Sequence, residues 1–309
     1  MIYTITLNPG IDLQYIVEDF EYNTVIRSQK TRRDLGGKGF NVSNALLKLN
    51  VISTALGFVG GKSGEFLVDQ LDRLNISHDL IWIEGETRTN TTILAHGKAK
   101  HLKVNEPGPT VQESEQIRLL DKAANLAAKG DYFIISGSLP PELKDNFYAQ
   151  LIQAVQDKGA KAVLDTSGQA LVNGLKAIPY MIKPNRNELC QLTGISLISN
   201  KDYRSGMISA HIMGASNICL SLGSEGAILS DGDRMLHGFP PQIIERNPIA
   251  SGDALLAGII AGFTDAMNNS ESLRYGVACG TAAASLDGTD FGSKEMVKRI
   301  SEQVSITTI

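Results

Sequence analysis

The sequence predicts an α/β fold: a central, mostly parallel sheet flanked by helices on both faces, with a small β-sheet beside it. Three observations carry this. Short β-branched runs alternate with amphipathic stretches of helical period, the pattern of βαβ units. Two polar, strand-prone stretches interrupt the alternation without a helix between neighbouring strands. The 309 residues, 42% hydrophobic and 20% charged, suffice to bury a substantial core without disulfides or metal. We read them as one domain, 1–309.

In chain order, Val, Ile, Tyr and Phe recur in strand-like runs at 2–7, 54–59, 132–136, 161–165, 180–183 and 217–221. Helical period places helices between them at 40–49, 64–74, 113–128, 142–158 and 202–213. The tail reads as helices over 251–267, 271–286 and 294–304. The polar excursions span about 12–34 and 88–104. Each reads as hairpin-like, and the two would pair into a small sheet serving as a lid or an oligomer contact.

Charge and composition exclude several classes. With 29 Lys+Arg against 33 Asp+Glu, the net charge is −4 and no basic run exists, which argues against a nucleic-acid partner. The start, MIYTITLNPGID, lacks the basic and apolar regions of a secretory signal. The longest apolar run, 254–263, is about half of what a bilayer requires, so no membrane partner is expected. Cys190, Cys219 and Cys279 are odd in number and far apart, and there is no CxxC or HExxH motif. They read as buried or partly buried thiols of a cytoplasmic protein, not as a disulfide framework or zinc site.

Ligands of open parallel sheets bind beyond the carboxyl ends of the strands. Those ends read Asn8 to Asp12, Ser136-Gly137-Ser138, Asp165-Thr166-Ser167, Lys183-Pro184-Asn185 and Ser221-Leu222-Gly223. Any one of them is ordinary turn chemistry. Together, on one edge, they suit a hydroxylated and phosphorylated ligand.

Two loops compete as phosphate binders. GFVGGKS (57–63) ends like a Walker A loop, but Leu56 stands where that motif needs glycine, so it reads as a strand-to-helix turn. In NPIASGDALLAGIIAGF, Pro248 ends a strand and Ala250-Ser251-Gly252 precede a long apolar helix. That geometry aims backbone N–H groups and a helix dipole at an anion. Asp253 lies in the first turn, where an acid commonly caps a helix. The glycines of GGKGFN (36–41) allow close approach to a ligand or simply a turn.

The pieces in order resemble the ribokinase-like (PfkB) carbohydrate kinases over the whole length, in the branch of 1-phosphofructokinase and tagatose-6-phosphate kinase. The matching motifs are TLNPGID (6–12), GGKGFNVS (36–43), TRTN (87–90), SGSLP (136–140), LDTSG (164–168), KPNRNEL (183–189), SLGSEGA (221–227) and ASGDALLAG (250–258). The resemblance implies a ribokinase-like sheet with a β lid, often used for dimerisation, and a homodimer through that lid is expected. It implies ATP and Mg²⁺ as cofactors and a small sugar phosphate as partner. Asp253 would be the general base, with Ala250, Ser251 and Gly252 forming the anion hole. Asn185 and Glu188 would organise Mg²⁺ through water, with Lys183 near the nucleotide phosphates. Ser221, Gly223 and Gly226 would line the nucleotide site, with Ala283 and Leu286 flanking the adenine. Asp12, Gly37 and Asn41 would hold sugar hydroxyls, while Arg27, Lys38, Arg88 and Ser138 gather around the acceptor's phosphate. Such a site works by positioning and charge neutralisation.

One departure stands out. The family usually has Gly where this chain has Ala250, and a positive φ there would cost about 1 kcal/mol. The expected activity is conversion of a ketohexose monophosphate, fructose 1-phosphate or tagatose 6-phosphate, to its bisphosphate. Two rivals remain: a kinase of an unphosphorylated sugar or nucleoside, and a non-catalytic relative that binds nucleotide or sugar phosphate.

Overall fold

The computed structural model describes residues 1–309 except 96–99, 248, 287 and 289. The strand end expected at Pro248 and part of the 88–104 excursion therefore lie outside the described residues.

β1 (Ile2–Thr6) opens the chain in the middle of a large sheet. β2 (Gly10–Val17) and β3 (Lys30–Gly36) leave it as an antiparallel pair, and α1 (Lys38–Lys48) returns the chain. β4 (Thr54–Val59) then pairs parallel to β1 and runs into α2 (Gly61–Arg73). The two-residue strands β5 (Ser77–His78) and β6 (Ile81–Trp82) border β4. β7 (Arg88–Ala95) and β8 (His101–Asn105) join the excursion, giving a second sheet in the order β3-β2-β7-β8. The two polar excursions thus pair with each other, as their alternation predicts.

The chain then builds the other half of the large sheet. α3 (Glu113–Leu126), β9 (Tyr132–Ser136), α4 (Phe147–Gln156), β10 (Lys161–Asp165), α5 (Gly168–Leu175), β11 (Met181–Ile182), α6 (Arg186–Thr193), α7 (Asn200–Ile212) and β12 (Ile218–Ser221) follow in order. The strands from β4 through β1, β9, β10 and β11 to β12 are all parallel. Beyond β12 the sheet turns antiparallel with β13 (Ala227–Ser230), β14 (Met235–Phe239) and finally β15 (Ser305–Thr308). Before β15 come α8 (Ser251–Thr264), α9 (Asn269–Ala284) and α10 (Lys294–Ser301).

Strand alternation divides the core. In β9, Phe133 and Ile135 pack with residues of α3, α4 and α5, while Tyr132 and Ile134 pack with residues of α1, α8 and α9. α8 is apolar all round because β-sheet, α1 and α9 enclose it. It approaches α9 so closely that a Cβ on Gly258 would lie 2.7 Å from the Gly276 Cα. No helix among the described residues is long and apolar enough to cross a membrane.

Because β4 lies on one side of β1 and β9 on the other, strand order reverses at β1. Such a switch point is where open α/β sheets bind ligands beyond the carboxyl ends of their strands.

Candidate active site

Asp165 ends β10 with no exposed surface. Its Oδ1 accepts a hydrogen bond from Lys38 Nζ at 3.0 Å, and its Oδ2 lies 3.2 Å from Lys183 Nζ. Burial alone would raise the Asp165 pKa, but Lys183 and Lys38 outweigh it and hold the carboxyl below its ordinary value. Lys38 is held protonated in turn: Asp165 and Asp253 more than offset its desolvation. This carboxylate went unassigned in the sequence reading. Its signal was the charged residue at a strand end, in the LDTSG run.

Asp253 sits buried in the first turn of α8 and accepts a hydrogen bond from Asn41 Nδ2 at 2.9 Å. Desolvation, then the nearby Asp165 charge, push its pKa up to about 6, against the pull of Lys38, Lys183 and Asn41. Such a carboxylate takes up a proton readily yet is largely ionised at neutral pH. Asn41, expected on sugar hydroxyls, is placed one turn after Lys38 with its amide on Asp253.

Ala250 precedes α8 at φ 63°, ψ 2°, the left-handed region, so the departure from glycine carries strain of about 1 kcal/mol or more. The N-cap position is Ala250, whose methyl group cannot cap the helix as a Ser, Thr, Asp or Asn would. Ser251 and Gly252 border a cleft of about 370 Å³, together with Ser221, Gly223 and Gly226, all expected at the nucleotide. Further walls come from Ser224, Leu255, the 240–245 segment and the α9 face of Val277, Gly280, Thr281 and Ala284. Helical phase corrects the expectation for Ala283 and Leu286. Ala283 turns into the core and Leu286 lies past the end of α9, so neither lines the cleft.

Asn185 and Glu188 form a capping box at the start of α6: Asn185 Oδ1 accepts from the Glu188 N–H and Glu188 Oε2 from the Asn185 N–H, at 2.9 and 2.8 Å. Their oxygens are of the kind Mg²⁺ takes, and Glu188 is near enough to Lys38 to raise its pKa. The only side-chain oxygen of Asn185 and one of the two of Glu188 are engaged in the cap, which leaves Glu188 Oε1 without a role in it. Among the described residues no group of three or more His, Cys, Asp or Glu could hold a metal directly. Arg186, beside them, donates to Tyr203 and Glu225 at 2.6 Å each and so ties α6 to the turn after β12.

On the other side of the crevice, Asp12 lies within β2 and accepts from Asn90 Nδ2 at 3.0 Å. Asn8 Nδ2 reaches Ser138 Oγ at 3.5 Å, and Arg88 Nη1 donates to the Glu106 carbonyl at 3.1 Å. Asn8 Oδ1, Asn90 Oδ1 and Arg88 Nε are buried without hydrogen-bond partners. Gly37, at φ 136°, turns the chain into α1 beside them. Arg27 and Arg88 do not converge. Arg88 pairs with Gly10 at the start of β2, whereas exposed Arg27 precedes Lys30, which pairs with Ile16. Six residues of strand separate those ends by about 20 Å. Lys38 also stands apart from Arg88, beside Asp165.

The GGKS turn at α2 is already filled. Glu86 accepts from the Lys62 N–H at 3.2 Å and from the Ser63 N–H, so its carboxylate occupies that helix N-terminus.

The family model described as pfkB family carbohydrate kinase matches residues 2–296. The chain belongs to the pfkB family of carbohydrate kinases. It is therefore a phosphotransferase acting on a sugar hydroxyl. It is 31% identical to the 1-phosphofructokinase of Bacillus subtilis and 31% identical to a tagatose-6-phosphate kinase of Staphylococcus epidermidis, each over 100% of both chains. Among solved structures, the phosphofructokinase-2 of Escherichia coli in complex with fructose-6-phosphate superimposes with TM-score 0.91 at 28% identity, covering 98% of each chain. That pfkB fold matches the sheet and small sheet found here.

Proposed function

We propose that this pfkB kinase transfers the γ-phosphoryl group of ATP to a ketohexose monophosphate, fructose 1-phosphate or tagatose 6-phosphate, giving the bisphosphate. The observation that carries the reading is Asp253, a buried carboxylate in the first turn of α8 that accepts from the Asn41 amide, with two ammonium groups nearby. The acceptor hydroxyl would lie against Asp253, which takes its proton as the oxygen attacks phosphorus. Gly252 and the α8 N-terminus would stabilise charge on the transferring group, and Lys183 would neutralise it from the nucleotide side. Asn185 and Glu188 would hold Mg²⁺ through water; when bound, the ion neutralises phosphate charge.

Acceptor recognition would rest on Arg88, Asn90, Asp12, Asn8 and Ser138, with the small sheet as a lid. Arg88 favours a phosphorylated acceptor, since a guanidinium can donate paired hydrogen bonds to a phosphate. A homodimer through the small sheet belongs to the same reading, and sedimentation would test it. The decisive experiment is initial rates with ATP against fructose 1-phosphate, tagatose 6-phosphate, fructose 6-phosphate, fructose and ribose. One of the first two should be turned over fastest. Faster turnover of a free sugar than of every sugar phosphate would overturn the assignment.

A further inference from the structure

Asp165 touches both halves of the site. Lys38, on its Oδ1, comes from the glycine turn on the acceptor side; Lys183, beside its Oδ2, comes from the strand end on the nucleotide side. Lys183 Nζ would stand 3.5 Å from a Cβ built on Gly252, so it borders the α8 N-terminus as well. One lysine would neutralise a buried carboxylate. A second adds a positive charge whose counter-charge is Asp253, the group that must give up its charge when it takes a proton. Burying such a cluster is a poor way to gain stability, because desolvation of each ion offsets the pairing.

We propose that Asp165 is a positioning residue for phosphoryl transfer, tethering the Lys38 and Lys183 ammonium groups on two flanks of the path from Asp253 to the α8 N-terminus. The proposal rests on the kinase reading above. Fixed cations stabilise developing charge without reorganising at the moment of reaction. Lys38 is the one that needs the tether, its side chain being 39% exposed while Lys183 is 5% exposed. The groups facing Asp253 are Asp165 from β10, Lys38 and Asn41 from α1, and Lys183 from the end of β11. Removing the Asp165 charge therefore also weakens the proton affinity of the base.

The test uses the acceptor that the wild-type protein turns over best. Asp165→Asn should lower kcat by about 10–100-fold with both KM values within about threefold. The acid limb of kcat should move to lower pH with the lost charge, and the fall in kcat at unchanged KM is the readout that a merely structural role would not produce. Lys38→Met should reproduce the kcat loss, and the double variant should lose little more than Lys38→Met alone. A tenfold rise in one KM with kcat unchanged would make Asp165 a substrate ligand and overturn the proposal, as would an unmoved acid limb or fully multiplicative losses. If Asp165→Asn does not fold, Lys38→Met decides: a rise confined to the acceptor KM would show that Lys38 is no part of the transfer step. A wild-type protein inactive on every acceptor would refute the kinase reading itself, and this proposal with it.

Discussion

The N-termini of α2 and α8 look alike in sequence and differ in what faces them. Both follow small, glycine-containing turns, GGKS and ASGD, and both offer backbone N–H groups at the positive end of a helix dipole. At α2 the anion is built in, because Glu86 accepts the Lys62 and Ser63 N–H groups. At α8 the N-cap residue is Ala250, which has no polar side chain, a cleft opens beside Ser251 and Gly252, and Asp253 projects from the first turn toward two lysines. The turn motif alone does not make a phosphate site. What differs is that the fold supplies its own anion at α2, while the α8 end borders a cleft.

Substitution at the two ends should separate them most strongly in turnover. Asp253→Asn should lower kcat by roughly 10²–10⁴-fold with ATP affinity little changed, as initial rates and nucleotide titration would show. The same variant should be more stable than wild type at pH 8. Because the folded-state pKa is raised from 3.8 to about 6, the native protein holds that proton more tightly than the unfolded chain. The associated stability is present below the unfolded value and lost as pH rises through about 6, a loss on the order of 3 kcal/mol. Thermal melts at pH 4 and pH 8 should show the difference only at the higher pH.

Across the crevice, Arg88→Ala should raise KM for the sugar phosphate by the equivalent of about 1.5–3 kcal/mol and leave KM for ATP within about twofold. A larger effect on ATP would move Arg88 out of the acceptor side. Ala250→Gly sharpens the comparison at α8 itself. Relief of the positive φ should raise stability by about 1 kcal/mol and kcat several-fold, read from melts and initial rates. An unchanged melting temperature would mean that the turn accommodates the methyl group. The smallest effect belongs to α2: Glu86→Gln should cost about 0.3–1 kcal/mol in stability with kcat unaltered. A tenfold drop in kcat there would place α2 in the reaction.

The sheet was legible because its strands are β-branched runs bounded by turn residues, and so were the polar residues gathered at its carboxyl edge. What was missed is short. β5 and β6 have two residues each, and β13, β14 and β15 four or five, too few for a period to show. α5 and α6, eight residues each, suffered likewise. Within the site, Asp253 and the glycine turns were readable from motif order. The partners were not, because they come from parts of the chain far apart in sequence: Asn41 reaches Asp253 across 212 residues and Lys38 reaches Asp165 across 127. The NxxE pattern shows why motif and structure must be read together, since the same residues that suit a metal through water are also a helix capping box. Ala283 failed for a different reason: being one residue off the α9 face that meets the cleft turns a side chain into the core.

The most direct test of Asp253 as the base is the pH dependence of kcat for wild type and Asp253→Asn, measured with saturating ATP and acceptor. The wild-type rate should fall below about pH 6 through a single ionisation, following the raised carboxylate pKa. In Asp253→Asn that limb should vanish from the residual rate. A variant that keeps the same acid limb, or more than half of wild-type turnover at pH 7.5, would contradict the account.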